Sequence, residues 1–553
     1  MSFQTPVGTC RANISGLGIV DGLQYANGVQ QFCGIPYANL AKRWSRSTLR
    51  THWNGEYHDG TKLGNDCPSP IVDGDDADDL VPVPPQGHFS ESRSVDELSA
   101  LVMNIVIPHE LDPNTEGPGL PVFVYVHGGS LLYGGANLPI FDAVNLVSLS
   151  IAVNLPMICV NFNYRVGIGG FLAGDVIANE LRADGHEGSG NFGFTDQKIA
   201  FDWVQQYINS LGGDPRKVTA VGESAGGISI SNQLLAANPP VFHRAVCMSG
   251  LSAAIPAWTM RQHNQFFQTV CDHFGINPAA DDALERLRAI PQQELANATP
   301  DIQGVPSGTG NPCLDGWFYR DEVDPLDINA LPSWLERVMF GDTYHEGVIF
   351  HLNLLEEDYQ SIRKILQAHI RDDSYTDFIL KAYDIADNLS HDELLSRVEH
   401  MCGDAIFKIP NYIFAQKSAG KKRFIYHFDQ RSRIPNALEN TAYHAHELLY
   451  LFMNLENMFS EEEKVMAREF ASAWIRFANE MEPWDTHQQD KWMVWGPCSE
   501  IKLKTELEDQ GARDYERMKL MVGLDEGRVW KRWLAGVDAL VNQRWKLFGS
   551  PQE

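Results

Sequence analysis

The stretch Lys217-Val218-Thr219-Ala220-Val221-Gly222-Glu223-Ser224-Ala225-Gly226-Gly227-Ile228-Ser229-Ile230 carries the clearest fold signal in this chain of 553 residues. Its apolar, β-branched first half predicts a buried strand, and the small residues that follow lead into a helical pattern. Between them lies a Gly-x-Ser-x-Gly turn so tight that only glycine, or a residue nearly as small, fits at positions 222 and 226. Strand, turn and helix together indicate a nucleophile elbow that holds the Ser224 hydroxyl at the end of a sheet. Because five residues also match by chance in a long chain, the partners of Ser224 decide the question.

A second glycine turn, Gly128-Gly129-Ser130, follows the predicted strand Val122–His127 upstream of the elbow. In an α/β-hydrolase this loop lends backbone N–H groups to an oxyanion hole, together with the N–H of the residue after the nucleophile. The expected donors are therefore Gly129, Ser130 and Ala225. The alternative is a glycine turn without a catalytic role. The position of Gly128-Gly129-Ser130 upstream of Ser224 in the chain favours the oxyanion hole.

Composition narrows the class of protein and its partners. Hydrophobic residues make up 44% of the chain and charged residues 21%, as in an ordinary soluble globular protein, and the net charge is −28. Such an acidic surface repels phosphate backbones, so we expect no nucleic-acid partner. The nine cysteines have no metal-binding spacing, so we expect no metal.

Two segments bear on the compartment. The most apolar one, 143–160, is interrupted by Asn145, Asn154 and Pro156, which predicts a helix and a buried strand rather than a membrane span. The first thirty residues show no basic stretch followed by an apolar run, and the chain begins with Met1, so we expect a cytoplasmic protein. A secreted protein whose signal peptide has been removed is the alternative, and the oligomeric state stays open.

The order of predicted elements indicates an α/β fold with a large, mostly parallel central sheet flanked by helices. Residues 1–60 alternate in short runs between glycines, which predicts an antiparallel β-meander. Buried strands are predicted at Leu101–Pro108, Val122–His127, Met157–Tyr164, Val218–Val221, Arg244–Met248 and Phe424–Phe428. Helical periodicity marks Thr195–Ile208, Glu356–Ala382, Glu461–Met481 and Asp514–Phe548. We expect a single domain over 1–553, with helical cap insertions at roughly 252–400.

A nucleophilic serine needs a histidine to take its proton and a carboxylate to orient that histidine. In this fold the chain order is serine, acid, histidine. Downstream of Ser224, a short apolar strand leads into a loop with Asp342 and Glu346, and His444 and His446 stand ahead of a later helical run. The residues alone do not decide between Asp342 and Glu346 as the acid, or between His444 and His446 as the base.

An ordered set of motifs resembles the type-B carboxylesterase/lipase family, which also contains the cholinesterases and fungal lipases. The motifs span nearly the whole chain and are Gly34-Ile35-Pro36-Tyr37-Ala38, Asn163-Tyr164-Arg165, Gly190-Asn191-Phe192-Gly193, Gly212-Gly213-Asp214-Pro215 and Gly222-Glu223-Ser224-Ala225-Gly226-Gly227. The chain resembles fungal carboxylesterases more than cholinesterases. The resemblance implies an α/β-hydrolase fold and a serine esterase that acts on a small-molecule ester without a cofactor.

The resemblance also implies the catalytic roles, with Ser224 as the nucleophile. Glu346 is implied as the acid, because His345-Glu346-Gly347 matches the family's Asp-Glu-Gly triplet. His444 is implied as the base, because His444-Ala445-His446-Glu447-Leu448 matches its His-Gly-x-Glu-Leu motif.

The neighbours of these residues receive secondary roles. His446 becomes a structural neighbour, and Glu223 is expected to stabilise the imidazolium formed during turnover. The residues that match the acyl or gorge side of relatives, and fit core packing equally well, are Leu131, Leu132, Trp258 and Phe350. Tyr133 is a candidate hydrogen-bond donor to substrate. Ile349 stands where cholinesterases carry an aromatic side chain, which disfavours a choline ester.

One departure from the family concerns a disulfide. Ala100 stands where the family usually has the cysteine that pairs with the equivalent of Cys67. The resemblance therefore implies that the loop 67–98, whose only aromatic residue is Phe89, is not tethered by a disulfide, as suits a reducing compartment.

The same residues allow two other functions. Acyl transfer to an alcohol or amine other than water uses the same triad and would suit the tailoring of a secondary metabolite. A non-catalytic binding protein on this fold is a remote alternative, because such relatives typically lose the nucleophile.

Overall fold

The computed structural model describes residues 4–71, 94–109, 119–320, 323–324, 331–417, 422–484 and 491–549. Within these ranges, thirteen strands form one sheet. They are β1 Gly8–Ile14, β2 Gly18–Tyr25, β3 Val29–Pro36, β4 Tyr57–Asp59, β5 Val102–Pro108, β6 Leu120–Val126, β7 Ile158–Phe162, β8 Gly213–Glu223, β9 Arg244–Met248, β10 Arg337–Thr343, β11 Lys422–Phe428, β12 Lys491–Trp495 and β13 Ile501–Thr505.

The sheet is antiparallel at its start and parallel through its centre. Its order is β1-β2-β3-β5-β7-β6-β8-β9-β10-β11-β12-β13, with β4 beside β2. The seven strands from β7 to β12 in this order pair in parallel, whereas β1, β2 and β3 form an antiparallel meander. The predicted meander and the mostly parallel sheet are therefore confirmed. The closing pair β12 and β13 was not predicted.

Alternate side chains of the central strands enter two different cores, one on each face of the sheet. In β6, Val122, Val124 and Val126 pack into one core, while Phe123 and Tyr125 pack into the other. This two-residue period is what a strand covered on both faces produces, and it explains why the parallel strands read as continuous apolar runs.

Helices cover both faces of the sheet. The α-helices in the described ranges are Val144–Ala152, Gly167–Phe171, Asp175–Ala183, Phe192–Tyr207, Ala225–Leu235, Met260–His273, Ala283–Ala289, Gln292–Asn297, Thr299–Gln303, His351–Leu354, Tyr359–Ile370, Asp373–Ala382, His391–Gly403, Ile409–Lys417, Glu447–Phe452, Glu461–Ala478, Glu506–Arg513, Tyr515–Gly523, Arg528–Val541 and Trp545–Phe548. A π-helical turn, Asp404–Lys408, connects two of them, and a 3₁₀ turn, Glu346–Phe350, follows β10. No helix of the described ranges combines the length and the apolar character needed to cross a membrane.

Two of the predicted helical runs are wrong as single helices. The run 356–382 breaks at Arg371, whose φ is 60°, and the next helix begins where Asp372 accepts from the N–H of Tyr375. The run 514–548 breaks where Asp525 and Glu526 adopt φ values of 46° and 55°. Left-handed residues end a helix without disturbing the apolar period around them, so periodicity alone does not detect them.

Candidate active site

Ser224 occupies a strained turn between β8 and the helix Ala225–Leu235. Its φ of 54° and ψ of −124° lie where residues other than glycine are rarely found. A Cβ atom on Gly226 would lie 2.0 Å from the carbonyl oxygen of Val126, and one on Gly222 would lie 2.4 Å from the carbonyl carbon of Gly226. Close backbone approach therefore requires glycine at both positions, as the sequence predicts. Ser224 itself is only half-buried, although most residues around it are buried.

A histidine and a carboxylate lie together near this turn. Nδ1 of His444 is 2.5 Å from Oε2 of Glu346. The other oxygen of Glu346 accepts hydrogen bonds from the N–H of Thr343 at 2.6 Å and from the hydroxyl of Ser249 at 2.7 Å. Glu346 is fully buried, so these three contacts fix the orientation of its carboxylate.

The other nitrogen of the same histidine faces a second carboxylate. Nε2 of His444 lies 3.2 Å from Oε1 of Glu223, and neither atom has a hydrogen-bond partner in the described part of the chain. Burial lowers the pKa of His444, but the charges of Glu223 and Glu346 raise it by more, to about 9. Burial raises the pKa of Glu223 to about 7, against the opposing effect of His444. Nε2 is thus left without a partner beside the residue that precedes Ser224.

Two residues near the pair were missed by the sequence prediction. The hydroxyl of Ser249 lies 3.4 Å from Oε1 of Glu447, in addition to its contact with Glu346. Burial, with the charges of Glu223 and Glu346, raises the pKa of Glu447 well above its usual range. Ser249 follows β9 directly, as Ser224 follows β8, and the carboxyl ends of neighbouring parallel strands meet at one edge of the sheet. The position of Ser249 at the carboxyl end of a predicted parallel strand could therefore have indicated, from the sequence, that it lies near Ser224.

The rival residues from the sequence have other partners. Asp342 accepts from Arg513 at 2.7 Å and lies 2.8 Å from Nδ1 of His427; burial raises its pKa, but these two groups lower it by more, to about 2. Nδ1 of His446 lies 3.0 Å from the carbonyl oxygen of Gln430, and burial lowers the pKa of this ring to about 3. The structure therefore brings Glu346 and His444 together and leaves their rivals in separate contacts.

The expected oxyanion loop turns sharply over the elbow. Gly129 and Ser130 have φ values of 105° and 56°, and the carbonyl oxygen of Gly129 accepts from the N–H of Tyr133 at 2.7 Å. The N–H groups of Gly129, Ser130 and Ala225 make no hydrogen bond within the described part of the chain. A Cβ atom on Gly128 would lie 3.2 Å from Cβ of Ser224, so this loop and the nucleophile turn are in contact.

The candidate pocket residues divide into two environments. Leu131 and Leu132 are fully buried, and the hydroxyl of Tyr133 donates to the carbonyl oxygen of Pro306 at 3.4 Å. The ring of Trp258 packs on Phe548, with centroids 4.9 Å apart.

Half-buried apolar side chains continue toward the histidine. Ile349 and Phe350 are half-buried, and the ring of Phe350 stacks on Phe407 with centroids 6.3 Å apart. Phe407 lies in the π-helical turn and packs on the ring of His444 at 4.8 Å. It was missed because this contact joins segments that are distant in sequence. Among the described residues, no group of His, Cys, Asp and Glu side chains is arranged to hold a metal ion.

The loop 67–98 is described only at its base. Residues 72–93, which include Phe89, lie outside the described residues. Cys67 is buried as a free thiol, as are Cys33 and Cys159. The base is closed by backbone hydrogen bonds from Asp66 N–H to the oxygen of Ser94 at 3.0 Å and from Asp96 N–H to the oxygen of Asp66 at 3.3 Å.

Comparison with known sequences finds similarity over most of the chain. The sequence model described as the carboxylesterase family matches residues 9–522. Lipase 3 of Yarrowia lipolytica is 26% identical over 524 residues, which cover 91% of this chain and 94% of that protein. The para-nitrobenzyl esterase of Bacillus subtilis is 27% identical over 510 residues, covering 88% and 94%. Human carboxylesterase 5A is 30% identical over 416 residues, covering 69% and 66%.

Comparison with solved structures gives the same fold. A PNB esterase structure aligns with a TM-score of 0.71 and 25% identity, covering 92% of this chain and 99% of that one. A thermophilic PNB esterase aligns with a TM-score of 0.72 and 24% identity, covering 92% and 100%. The predicted α/β-hydrolase fold is thereby confirmed.

Proposed function

The chain belongs to the carboxylesterase family, and we propose that it hydrolyses carboxylic esters through an acyl-enzyme formed on Ser224, with His444 as base and Glu346 as acid. The observation that carries this proposal is the buried Glu346–His444 contact of 2.5 Å beside the strained turn of Ser224. A carboxylate on Nδ1 holds that nitrogen protonated, which leaves Nε2 free to accept a proton.

The reaction then proceeds in two halves. Nε2 of His444 takes the proton of the Ser224 hydroxyl as Oγ attacks the ester carbonyl, and the N–H groups of Gly129, Ser130 and Ala225 hold the oxyanion. His444 gives the proton to the departing alcohol, which leaves an acyl-enzyme. Water repeats the sequence, releasing the carboxylic acid and restoring Ser224. Backbone donors suit the oxyanion because they are fixed before charge develops.

The surroundings support an uncharged ester with an apolar group as substrate. Half-buried Ile349 and Phe350 follow the acid in the chain, and Phe350 stacks on Phe407 beside His444. The net charge of −28 disfavours anionic esters. The para-nitrobenzyl esterase among the relatives has a name that fits this class.

A fluorophosphonate probe is expected to label the protein covalently at Ser224, at about one equivalent per chain. The phosphonyl group forms a tetrahedral adduct that needs the same nucleophile, base and oxyanion donors as the ester. Mass spectrometry of the digested protein would locate the label. Prior incubation with a slowly hydrolysed ester should prevent labelling, and a label on Ser249 or on no serine would contradict the proposal.

The pH profile of kcat/KM is expected to show an acid limb set by His444, which must be neutral to act as base. Glu223 favours the charged imidazole, so Glu223→Gln should move this limb to lower pH by about one unit. The limb moves down because loss of a negative charge lowers the pKa of His444. The test is to measure kcat/KM for a p-nitrophenyl ester between pH 5 and pH 10, at intervals of about half a pH unit.

Glu447→Gln is the matched control for this shift. The charged or ionisable groups that raise the pKa of His444 are Glu223, Glu346 and Glu447. Glu447 contributes least to that rise, so Glu447→Gln should move the acid limb less than Glu223→Gln does. An equal shift in both variants would argue against the role of Glu223.

A further inference from the structure

His345 precedes the proposed acid and links its segment to that of the proposed base. Its backbone N–H donates to the carbonyl oxygen of Ala442 at 2.8 Å. The N–H of Ala442 donates in return to Nδ1 of the His345 ring at 3.0 Å. Ala442 stands two residues before His444, so both bonds join the short segments that carry Glu346 and His444.

These two hydrogen bonds extend the register of the sheet beyond its strands. Strands β10 and β11 pair up to Thr343 and Phe428, and the N–H of Tyr344 continues the pairing with the oxygen of Phe428 at 3.0 Å. At the next residue the chain leaves β11 and pairs instead with the His444 segment, in an isolated parallel bridge between His345 and Tyr443. The imidazole supplies an acceptor at the point where the regular ladder has ended.

We propose that His345 is a positioning residue whose ring, by accepting the N–H of Ala442, sets the spacing between Glu346 and His444. The inference rests on the proposed function, because it concerns the alignment of that acid and base. An N–H group donates only to an unprotonated nitrogen, so the ring is neutral with its proton on Nε2. Glu346 is the next residue after His345, and His444 stands two residues after Ala442, so the 2.5 Å contact between Glu346 and His444 is adjacent to the His345–Ala442 hydrogen bond.

The surroundings keep the ring in the form that accepts. Burial lowers the pKa of His345 to about 4, and positive charge nearby adds to this effect. The groups responsible come from four different segments and are Lys408, Arg431, Arg513 and His400. Nδ1 therefore remains an acceptor throughout the neutral range.

The test compares His345→Leu with His345→Asn. Leucine removes the acceptor, whereas the Oδ1 atom of asparagine lies at the same number of bonds from Cα as Nδ1 and restores it. We expect His345→Leu to lower kcat for a p-nitrophenyl ester by about 10- to 100-fold with KM changed less than about twofold, because a misplaced acid and base slow only the chemical step. His345→Asn should retain kcat within about threefold, although it also loses the ring packing on Tyr344, whose centroid is 4.7 Å away.

His58→Leu controls for the loss of a partly buried histidine that bonds to the backbone. Nε2 of His58 lies 3.2 Å from the carbonyl oxygen of Cys33, in the N-terminal part of the sheet. The His58→Leu variant should lower the unfolding temperature but leave kcat unchanged. Equal kcat losses in the leucine and asparagine variants, or a change in KM alone, would overturn the role of His345. These outcomes refute only the role of His345 if the wild-type protein turns over esters and Glu346→Gln loses that activity. The proposed function itself would be refuted if the wild-type protein showed neither ester turnover nor labelling by the fluorophosphonate probe.

Discussion

Replacing Ser224 with alanine is expected to lower kcat for p-nitrophenyl esters by about 10⁴- to 10⁶-fold, because the proposed acyl-enzyme forms on the hydroxyl that alanine lacks. The protein should stay folded. Alanine retains Cβ, so the backbone at φ 54° keeps its steric strain and the free energy of unfolding should change by less than about 1 kcal/mol. Steady-state turnover and thermal unfolding of the same preparation measure the two effects.

A glycine at the same position separates strain from chemistry. Ser224→Gly should be as inactive as the alanine variant but more stable, since glycine adopts this φ and ψ without a Cβ clash. The relieved strain of about 1–3 kcal/mol exceeds the entropy that glycine adds to the unfolded chain, about 0.4–1 kcal/mol, so the net gain is about 1 kcal/mol.

Ser229→Ala is the matched control, because it removes a buried serine hydroxyl from the helix that follows Ser224. The Ser229 hydroxyl donates to the oxygen of Ala225 at 2.6 Å and accepts from Gln197 at 3.0 Å. This variant should lose stability and retain turnover. Turnover that survives in Ser224→Ala, or that falls equally in Ser229→Ala, would exclude Ser224 as the nucleophile.

The parts of the fold that sequence could predict are those written in local pattern. The strand-turn-helix around Ser224, the buried parallel strands and the meander all have signals within about ten residues. Strands β12 and β13 were missed for two reasons. β13, Ile-Lys-Leu-Lys-Thr, is an edge strand with no buried residue, and β12 joins the sheet through β11, which ends more than sixty residues earlier in the chain. The helix breaks at Arg371 and Asp525 depend on single backbone angles that composition does not encode.

The site shows the same division. Local sequence identifies Ser224 and the glycine turn, but not which of two histidines turns toward the acid. His444 and His446 differ only in tertiary contacts, one with Glu346 and the other with the oxygen of Gln430. The resemblance to the family had pointed to His444, the histidine that contacts Glu346. Ser249 and Phe407, which have no local motif, were found only from the structure.

Replacing Glu346 with glutamine is expected to lower kcat by about 10³- to 10⁴-fold. The amide keeps the size of the side chain, and its oxygen still accepts from Thr343 and Ser249. The atom facing Nδ1 of His444 becomes an N–H donor, so Nδ1 must lose its proton and Nε2 must carry one. A protonated Nε2 cannot take the proton of Ser224, and the loss of kcat follows from this change of tautomer.

Asp342→Asn decides whether the right carboxylate has been chosen. Asp342 is as buried as Glu346 and stands four residues before it, but its partners are Arg513, His427 and Asn411. Its amide variant should cost stability and reduce kcat by about tenfold at most, because the proton on Nδ1 of His444 is untouched. A larger loss in Asp342→Asn than in Glu346→Gln would reverse the assignment. The double variant Ser224→Ala with Glu346→Gln should be no slower than Ser224→Ala alone, because an acid that works only through His444 and Ser224 has no effect once the nucleophile is absent.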